Sequence, residues 1–376
     1  MTAPLLVVEP TFGQWDHAAV NGAILRAVRL AFPQRRIVFA AAARQRQSVL
    51  ESYPDLRELD QIEIGVLPPG GVTRARFVAQ WRAIRGAVRT TGARTVLLLS
   101  GGPETFFVAR LLVALDAGLR LFVVLHGLTP ASLAWRSRDP RRRLFDYRAG
   151  MGRAQHERIR FIALEQHIAE ALPALLGLRR RPLVWPHPLP DDIDDSLRIR
   201  DVSVPLRIVF PGTANAIKGF DVFSGAARKY ASAALRFELV GYRPDGGAGG
   251  GSVGFEAPDA PLPRATYVER LSRASYAMLP LQPDVYRLTA SGSMMDCIAL
   301  RLPLITTAND AVLAMEREFG AVGFIFRNQA ELGALLGQPE VLADAAQHAA
   351  FRAALGRAAA ARGQEAMAVR IGRDLA

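Results

Sequence analysis

Two segments in the second half of the chain carry residue types at a spacing that suits a bound phosphate. The first, PGTANAIKGFD over 211–221, follows an apolar run and opens a helical pattern. Gly212, near the end of that run, lets the backbone turn tightly and approach a ligand. Lys218 supplies a point charge for a phosphate oxygen. Lys218 and Lys229 are the only lysines, and arginine holds every other basic position. A lysine kept at the mouth of a strand–loop–helix unit points to a role that arginine fills less well. The second segment, YRLTASGSMMDCIALRLPLIT over 286–306, places Ser291, Gly292 and Ser293 ahead of a helical pattern. The N–H groups at a helix start, with the positive end of the dipole, favour an anion there. Asp296, one turn on, is placed to accept hydrogen bonds from vicinal hydroxyls. A surface lysine beside a helix start, and a serine N-cap before an acidic first turn, would leave the same letters. Read together, the segments put a cation, a helix N-terminus and a carboxylate on one sheet edge, which suits a nucleotide diphosphate.

Short β-branched or leucine-rich runs alternate with longer helical patterns along the whole chain. Strands are expected at 5–9, 36–40, 63–67, 95–99, 121–125, 160–163 and 183–185, with helices at 18–31, 73–90 and 104–117. The stretch 186–205 is proline-rich and acidic, breaks this rhythm and reads as an interdomain linker. The rhythm restarts with a strand at 206–210, a helix at 219–230 and a strand at 236–240. A glycine- and proline-rich loop follows over 243–263; its tract at 245–254 has neither a Walker lysine nor a dinucleotide fingerprint. Then come helices near 264–275 and 291–300, strands at 276–279 and 303–306, and an alanine-rich helical end. Such alternation builds parallel sheets covered on both faces. The expected division is an N-terminal domain over 1–190, a second over 203–355 and a C-terminal helix over 356–376, free to pack back on the first. Ligands of such sheets bind at the carboxyl ends of the strands.

A length of 376 residues agrees with about two domains. Half the residues are apolar and 22% are charged, which excludes a disordered chain. The longest apolar stretch, 106–128, is interrupted by Arg110, Asp116 and Arg120, short of what a membrane helix needs. No export signal is visible. One cysteine, Cys297, excludes an intramolecular disulfide and a cysteine-based metal cluster. The expectation is a cytoplasmic protein. The net charge of +12 is unevenly placed: residues 1–200 hold 29 arginines against 18 carboxylates, and the second half is nearly neutral. The densest basic stretch is Arg136, Arg138, Arg141, Arg142, Arg143, Arg148, Arg153, Arg158 and Arg160, followed by Arg179, Arg180 and Arg181. Such a field attracts an anionic surface, such as phospholipid or a lipid-linked phosphate. Zinc-finger spacing and interleaved aromatic and basic residues are missing, so nucleic acid is not expected as a partner.

The second half resembles the donor half of GT-B-fold glycosyltransferases, in particular the retaining group related to sucrose and bacterial polysaccharide glycosyltransferases. Pro211, Gly212, Lys218 and Gly219 match that group's strand, glycine and Lys-Gly frame. Val240 and Gly241 match the Val-Gly that ends its next strand, and Pro280 matches the proline ahead of its donor loop. The run Asp296-Cys297-Ile298-Ala299 with Pro303-Leu304-Ile305 resembles its Glu-Ala-Met-Ala and Gly-x-Pro-Val-Ile segment. Thr213 stands where the group has an arginine, and Leu288 where it has the first of two glutamates eight positions apart. Tyr286 ahead of Ser291-Gly292 is similar to some bacterial members. In the first half, His126 in Val-Leu-His-Gly resembles the histidine that touches the donor sugar, and His187-Pro188-Leu189 resembles the boundary segment.

This resemblance implies a GT-B architecture, two Rossmann-like doubly wound α/β domains facing across a cleft. It implies glycosyl transfer from a nucleotide-diphosphate sugar, UDP- or GDP-linked, with no other cofactor and no metal. Gly212, Thr213, Lys218, Gly241, Tyr286, Ser291, Gly292 and Asp296 would hold the donor, with Lys218 and His126 at the reacting centre. The loop after the first strand, with Gly13, Trp15, Asp16 and His17, is where such a fold holds its acceptor. Asp16 is the general base if the reaction inverts the anomeric centre, or else a helix N-cap. The acceptor is expected to be lipid-linked, in bacterial exopolysaccharide or surface-polysaccharide assembly, with the basic half against the inner membrane. The alternative is a non-catalytic protein of the same fold that binds a nucleotide or saccharide.

Overall fold

The computed structural model describes residues 3–14, 17–69, 73–128, 133, 146–190, 193–198, 202–243 and 260–376. The chain divides into two compact units, Met1–Pro188 with Arg362–Ala376, and Leu189–Ala361.

The first unit is built on seven parallel strands: β1 (Leu5–Val8), β2 (Ile37–Ala41), β3 (Asp60–Glu63), β4 (Thr95–Leu98), β5 (Arg120–Leu125), β6 (Ile159–Ala163) and β7 (Leu183–Val184). Their order in the sheet is β3-β2-β1-β4-β5-β6-β7. β1, β2 and β4 are apolar at nearly every position and buried throughout, as strands covered on both faces must be. The helix Ala18–Ala31 follows β1 and buries Ala23, Ile24, Ala27 and Val28 against one face of the sheet. The last helix, Gln364–Leu375, joins the same core through Met367, Ile371 and Leu375. Trp185, fully buried, donates its indole N–H to Asp374 Oδ2 at 2.9 Å and ties this helix to the end of β7.

The second unit holds β8 (Leu206–Thr213), β9 (Leu235–Tyr242), β10 (Tyr276–Leu279), β11 (Leu304–Thr307) and β12 (Gly323–Phe326), all parallel, in the order β12-β11-β10-β8-β9. In each sheet the strand order reverses beside the first strand of its unit, between β1 and β4 and between β8 and β10. That reversal opens a crevice at the carboxyl ends of the strands.

Most strand expectations fall within a residue or two of the observed bounds, and β10 coincides. β8 runs on to Thr213, three residues past the expected 206–210, β12 has no counterpart among the expected strands, and β3 departs most: the expected 63–67 is displaced to Asp60–Glu63. As an edge strand it pairs only with β2, from Val38↔Asp60 to Ala41↔Glu63, and is mostly exposed, so pairing and not apolar content fixes its place. The stretch 186–205 is also more than a linker. His187 is buried in the first unit, while Leu189 and Ile193 are buried in the core of the second.

Candidate functional site

In the second unit, glycine positions the chemistry. β8 and β9 run in register with Gly212 opposite Gly241, and a Cβ on Gly241 would lie 1.8 Å from the Gly212 carbonyl oxygen. Gly212 itself has φ +82°, and a Cβ there would meet Ser293 Oγ at 2.6 Å and Lys218 Nζ at 3.2 Å. The chain then turns through Ala216–Lys218, where the Asn215 side chain accepts from the Lys218 N–H at 2.9 Å. Gly219, at φ +77°, closes the turn with its α-carbon against Pro280; a Cβ would lie 2.1 Å from the Pro280 carbonyl oxygen. The helix Phe220–Tyr230 starts there.

The ammonium group of Lys218 donates to Ser293 Oγ at 3.2 Å, in the first turn of the helix Gly292–Leu300. Partial burial lowers the Lys218 pKa, and the Asp296 charge pulls it back up. The Ser291 side chain is used as the N-cap and accepts from the Met294 N–H. Within the first turn of the helix, the N–H groups of Gly292 and Ser293 have no intrahelical partner. A cation, a hydroxyl and two backbone donors share the end of β8, an arrangement able to hold the oxygens of a diphosphate.

Asp296 faces the helix Arg264–Ser272. Its Oδ1 pairs with Arg264 at 2.8 Å and its Oδ2 accepts from Tyr267 at 3.2 Å. Burial, then Asp296, push the Tyr267 pKa well up, so the phenol keeps its proton. Tyr286 and Leu288 are both buried, Tyr286 within the core beside Met294 and Met295. Thr213 ends β8 opposite Tyr242, half-buried.

In the first unit, polar groups gather where the strands end. Glu9, directly after β1, is 1% exposed. Its Oε1 accepts from the Thr11 and Phe12 N–H groups and from the Ser100 hydroxyl, and its Oε2 from Asn21 Nδ2. Burial nevertheless raises its pKa. The loop that follows contains Gly13, packed on Val66, and His17, which has φ +61° at the start of the helix Ala18–Ala31. Trp15 and Asp16 lie outside the described residues. The His17 ring sits 4.1 Å, centre to centre, from His126, and His126 lies 6.1 Å from His187. Burial first, then His17 and His187, hold the His126 pKa well below normal. His187 is lowered to about 4, chiefly by burial. Its Nδ1 lies 2.9 Å from the Pro188 carbonyl, which can only accept, so the neutral ring carries its proton on Nδ1 and leaves Nε2 as an acceptor. Glu165 pairs with Arg362 at 3.0 Å, and Glu104 with Arg76 at 3.3 Å; both are buried and structural.

The structure thus brings Gly212, Gly241, Lys218 and Gly292 together, and separately His17 with His126. Ser293, Glu9, Ser100, Asn21 and His187 were not singled out for these roles in the sequence. Glu9 had a readable signal, a carboxylate directly after the apolar run Leu5–Val8. Of the basic stretch, Arg136, Arg138, Arg141, Arg142 and Arg143 lie outside the described residues. Arg158 is spent on the carbonyls of Asp116 and Val113. Among the described residues no helix is long and apolar enough to cross a membrane, and no group of three or more His, Cys, Asp or Glu residues is placed to hold a metal ion.

Two Rossmann-like parallel sheets, the second carrying this glycine and lysine geometry, define a fold class, and solved structures share it. No protein-family model matches the chain, and no curated protein sequence does. The structure is similar to HepE of Anabaena, solved with UDP, with a TM-score of 0.69 and 14% identity over 99% of both chains. It is similar to sucrose-phosphate synthase of Thermosynechococcus elongatus, with a TM-score of 0.67 and 14% identity over 99% of this chain and 98% of the other. WaaG, a glycosyltransferase involved in lipopolysaccharide biosynthesis, gives a TM-score of 0.61 and 12% identity over 99% of both chains. The chain has the GT-B fold of glycosyltransferases.

Proposed function

We propose that this protein is a glycosyltransferase that takes a sugar from a nucleotide diphosphate, UDP- or GDP-linked, and passes it to a saccharide acceptor. The observation that carries this reading is the Lys218 ammonium group, 3.2 Å from Ser293 Oγ at the start of a helix, over the side-chain-free Gly212. In the transfer the bond from the anomeric carbon to the diphosphate oxygen breaks and the diphosphate leaves with the electron pair, while an acceptor hydroxyl oxygen bonds to that carbon and gives its proton to the departing diphosphate if configuration is retained, or to Asp16 if it is inverted. Lys218 and the N–H groups of Gly292 and Ser293 would meet that charge as it develops, which needs no metal at this step. Asp296 would orient the ribose hydroxyls. In the first unit, neutral His126 would position the sugar, and the loop of Gly13, Trp15, Asp16 and His17 would hold the acceptor. HepE is solved with UDP and with UDP-glucose, which supports a nucleotide-sugar donor here. The acceptor is proposed to be lipid-linked, in surface-polysaccharide or exopolysaccharide assembly, with the protein peripheral at an anionic membrane through its basic half. The direct test is calorimetry with UDP, GDP and ADP, followed by transfer from the matching labelled nucleotide sugar. Binding without hydrolysis or transfer, over a panel of sugars and lipid-linked acceptors, would favour a non-catalytic nucleotide- or saccharide-binding partner protein. The burial of apolar Leu288, where the resembling enzymes carry a glutamate, is the observation that keeps that second reading.

A further inference from the structure

The amino ends of β6 and β7 carry a second basic site. Arg160 is the second residue of β6, and Arg179, Arg180 and Arg181 lead into its parallel neighbour β7. These residues line a pocket of about 190 Å³ together with Ile159, Phe161 and Pro182 and with Gln155 and His156 of the turn before β6. Gln155 fixes that turn to the loop before β7: its Oε1 accepts from the Arg179 N–H at 2.5 Å and its amide donates to the Gly177 carbonyl at 3.4 Å. Arg181 is paired with Glu170 at 2.7 Å. Arg160, Arg179 and Arg180 have no carboxylate in ion-pair reach among the described residues, and Glu157 is the one acid lining the pocket.

We propose that this pocket binds a phosphate-ester oxyanion. Three unpaired guanidinium groups around one small cavity offer more donors than any internal acceptor uses, and guanidinium forks match phosphate oxygens. The volume is below the roughly 300–1,000 Å³ usual for whole small-molecule sites, so it suits a head group or a small phosphate. The pocket sits at the opposite strand ends from those that bind substrate in such sheets, so it is a site apart from the transfer chemistry and does not rest on that reading.

The test uses the full chain, Arg160→Gln/Arg180→Gln, and a control of equal charge, Arg82→Gln/Arg89→Gln, whose arginines are exposed on the helix Arg74–Thr91. Inorganic phosphate and pyrophosphate are titrated by calorimetry at low salt, and vesicles of phosphatidylglycerol are compared with phosphatidylcholine by flotation. The parent and the control should bind at least one probe saturably, and the pocket variant should bind it at least tenfold more weakly. Vesicle binding alone assigns the anion to a lipid head group, and phosphate binding alone to a soluble ester. Urea unfolding midpoints of all three proteins report that the fold is intact. Equal weakening in control and pocket variants, or no saturable binding by the parent, overturns the proposal.

Discussion

Gly241 faces Gly212 across the β8–β9 ladder so closely that neither position has room for a methyl group, but for different reasons. At Gly241 the obstacle is backbone: the Gly212 carbonyl oxygen would be 1.8 Å from the new carbon. At Gly212 the obstacles are the ends of side chains, Ser293 Oγ and Lys218 Nζ, together with a left-handed φ of +82°. Gly241→Ala should therefore move the strand itself and cost about 3 kcal/mol, at the upper end for overpacking. Gly212→Ala should cost about 1–2 kcal/mol for the backbone conformation. It should displace Lys218, so nucleotide affinity falls by more than stability does. Urea unfolding and UDP calorimetry on both variants check the order; equal affinity losses per unit of stability would contradict it.

Lys218 leans on a hydroxyl and not on a carboxylate, which leaves its charge available to a ligand. Lys218→Ala should lower the transfer rate by on the order of 10²–10³, the usual effect of removing one electrostatic contact to a departing group. Because burial lowers its pKa, nucleotide binding should weaken at a lower alkaline pH than an exposed lysine would give. Calorimetry over a pH series, with Lys218→Arg as the comparison that stays charged, reads this directly. A parent that keeps full affinity at the same pH as the arginine variant would place Lys218 outside the site.

The parallel, doubly wound character was legible because buried strands such as Leu206–Phe210 read as apolar runs and the helices between them as longer periodic patterns. Lys218 was legible because lysine is so rare here, and Gly212 and Gly292 because a helical pattern follows each. What stayed hidden depends on tertiary contact. No local pattern shows that Ser293 Oγ accepts a hydrogen bond from Lys218, 75 positions away, or that Asp296 meets Arg264 and Tyr267 on another helix. The His17–His126 contact is hidden for the same reason. Edge strand β3, mostly exposed and set by its pairing with β2, lacks the apolar run that marks the buried strands.

Asp296 is held by two partners, and variants can separate that packing role from a role toward the ribose. Arg264→Ala removes an exposed partner and should change stability by less than about 1 kcal/mol. It should leave UDP affinity within a few-fold. Asp296→Ala leaves the half-buried Tyr267 hydroxyl without this acceptor, at a cost of about 1 kcal/mol, and should weaken UDP binding by tenfold or more. If Arg264→Ala weakens UDP as much as Asp296→Ala, the carboxylate acts through helix position and not on the nucleotide.

Glu9 shapes the loop that the proposed acceptor would meet. Glu9→Ala strips four donors of their acceptor, two of them the Thr11 and Phe12 N–H groups, and should cost several times the about 1–3 kcal/mol of one buried unsatisfied group. Glu9→Gln should cost far less. Asn21 Oδ1 is buried without a partner, so turning the Asn21 amide over offers that oxygen to the new side-chain N–H. Urea midpoints of the two variants test this contrast; equal losses would show that the negative charge of Glu9, and not its shape, holds the loop.

His187 should make the first unit acid-sensitive. In the fold its pKa is about 4, lowered chiefly by burial and further by Arg362 and His17, against 6.5 in an unfolded chain. Between pH 6.5 and 4 the unfolded chain takes up a proton that the folded ring refuses. Stability is therefore present in full above about pH 6.5 and declines as pH falls, with a limit of about 3 kcal/mol for a change of this size. Glu9, with its raised pKa, acts in the opposite sense over part of this range, but it is common to parent and variant. His187→Gln keeps an N–H for the Pro188 carbonyl and has no proton to gain. From pH 7 to pH 4.5 the parent should lose about 2–3 kcal/mol more unfolding free energy than this variant by urea titration. Parallel losses in the two proteins would show that the His187 ring is not held neutral by its burial.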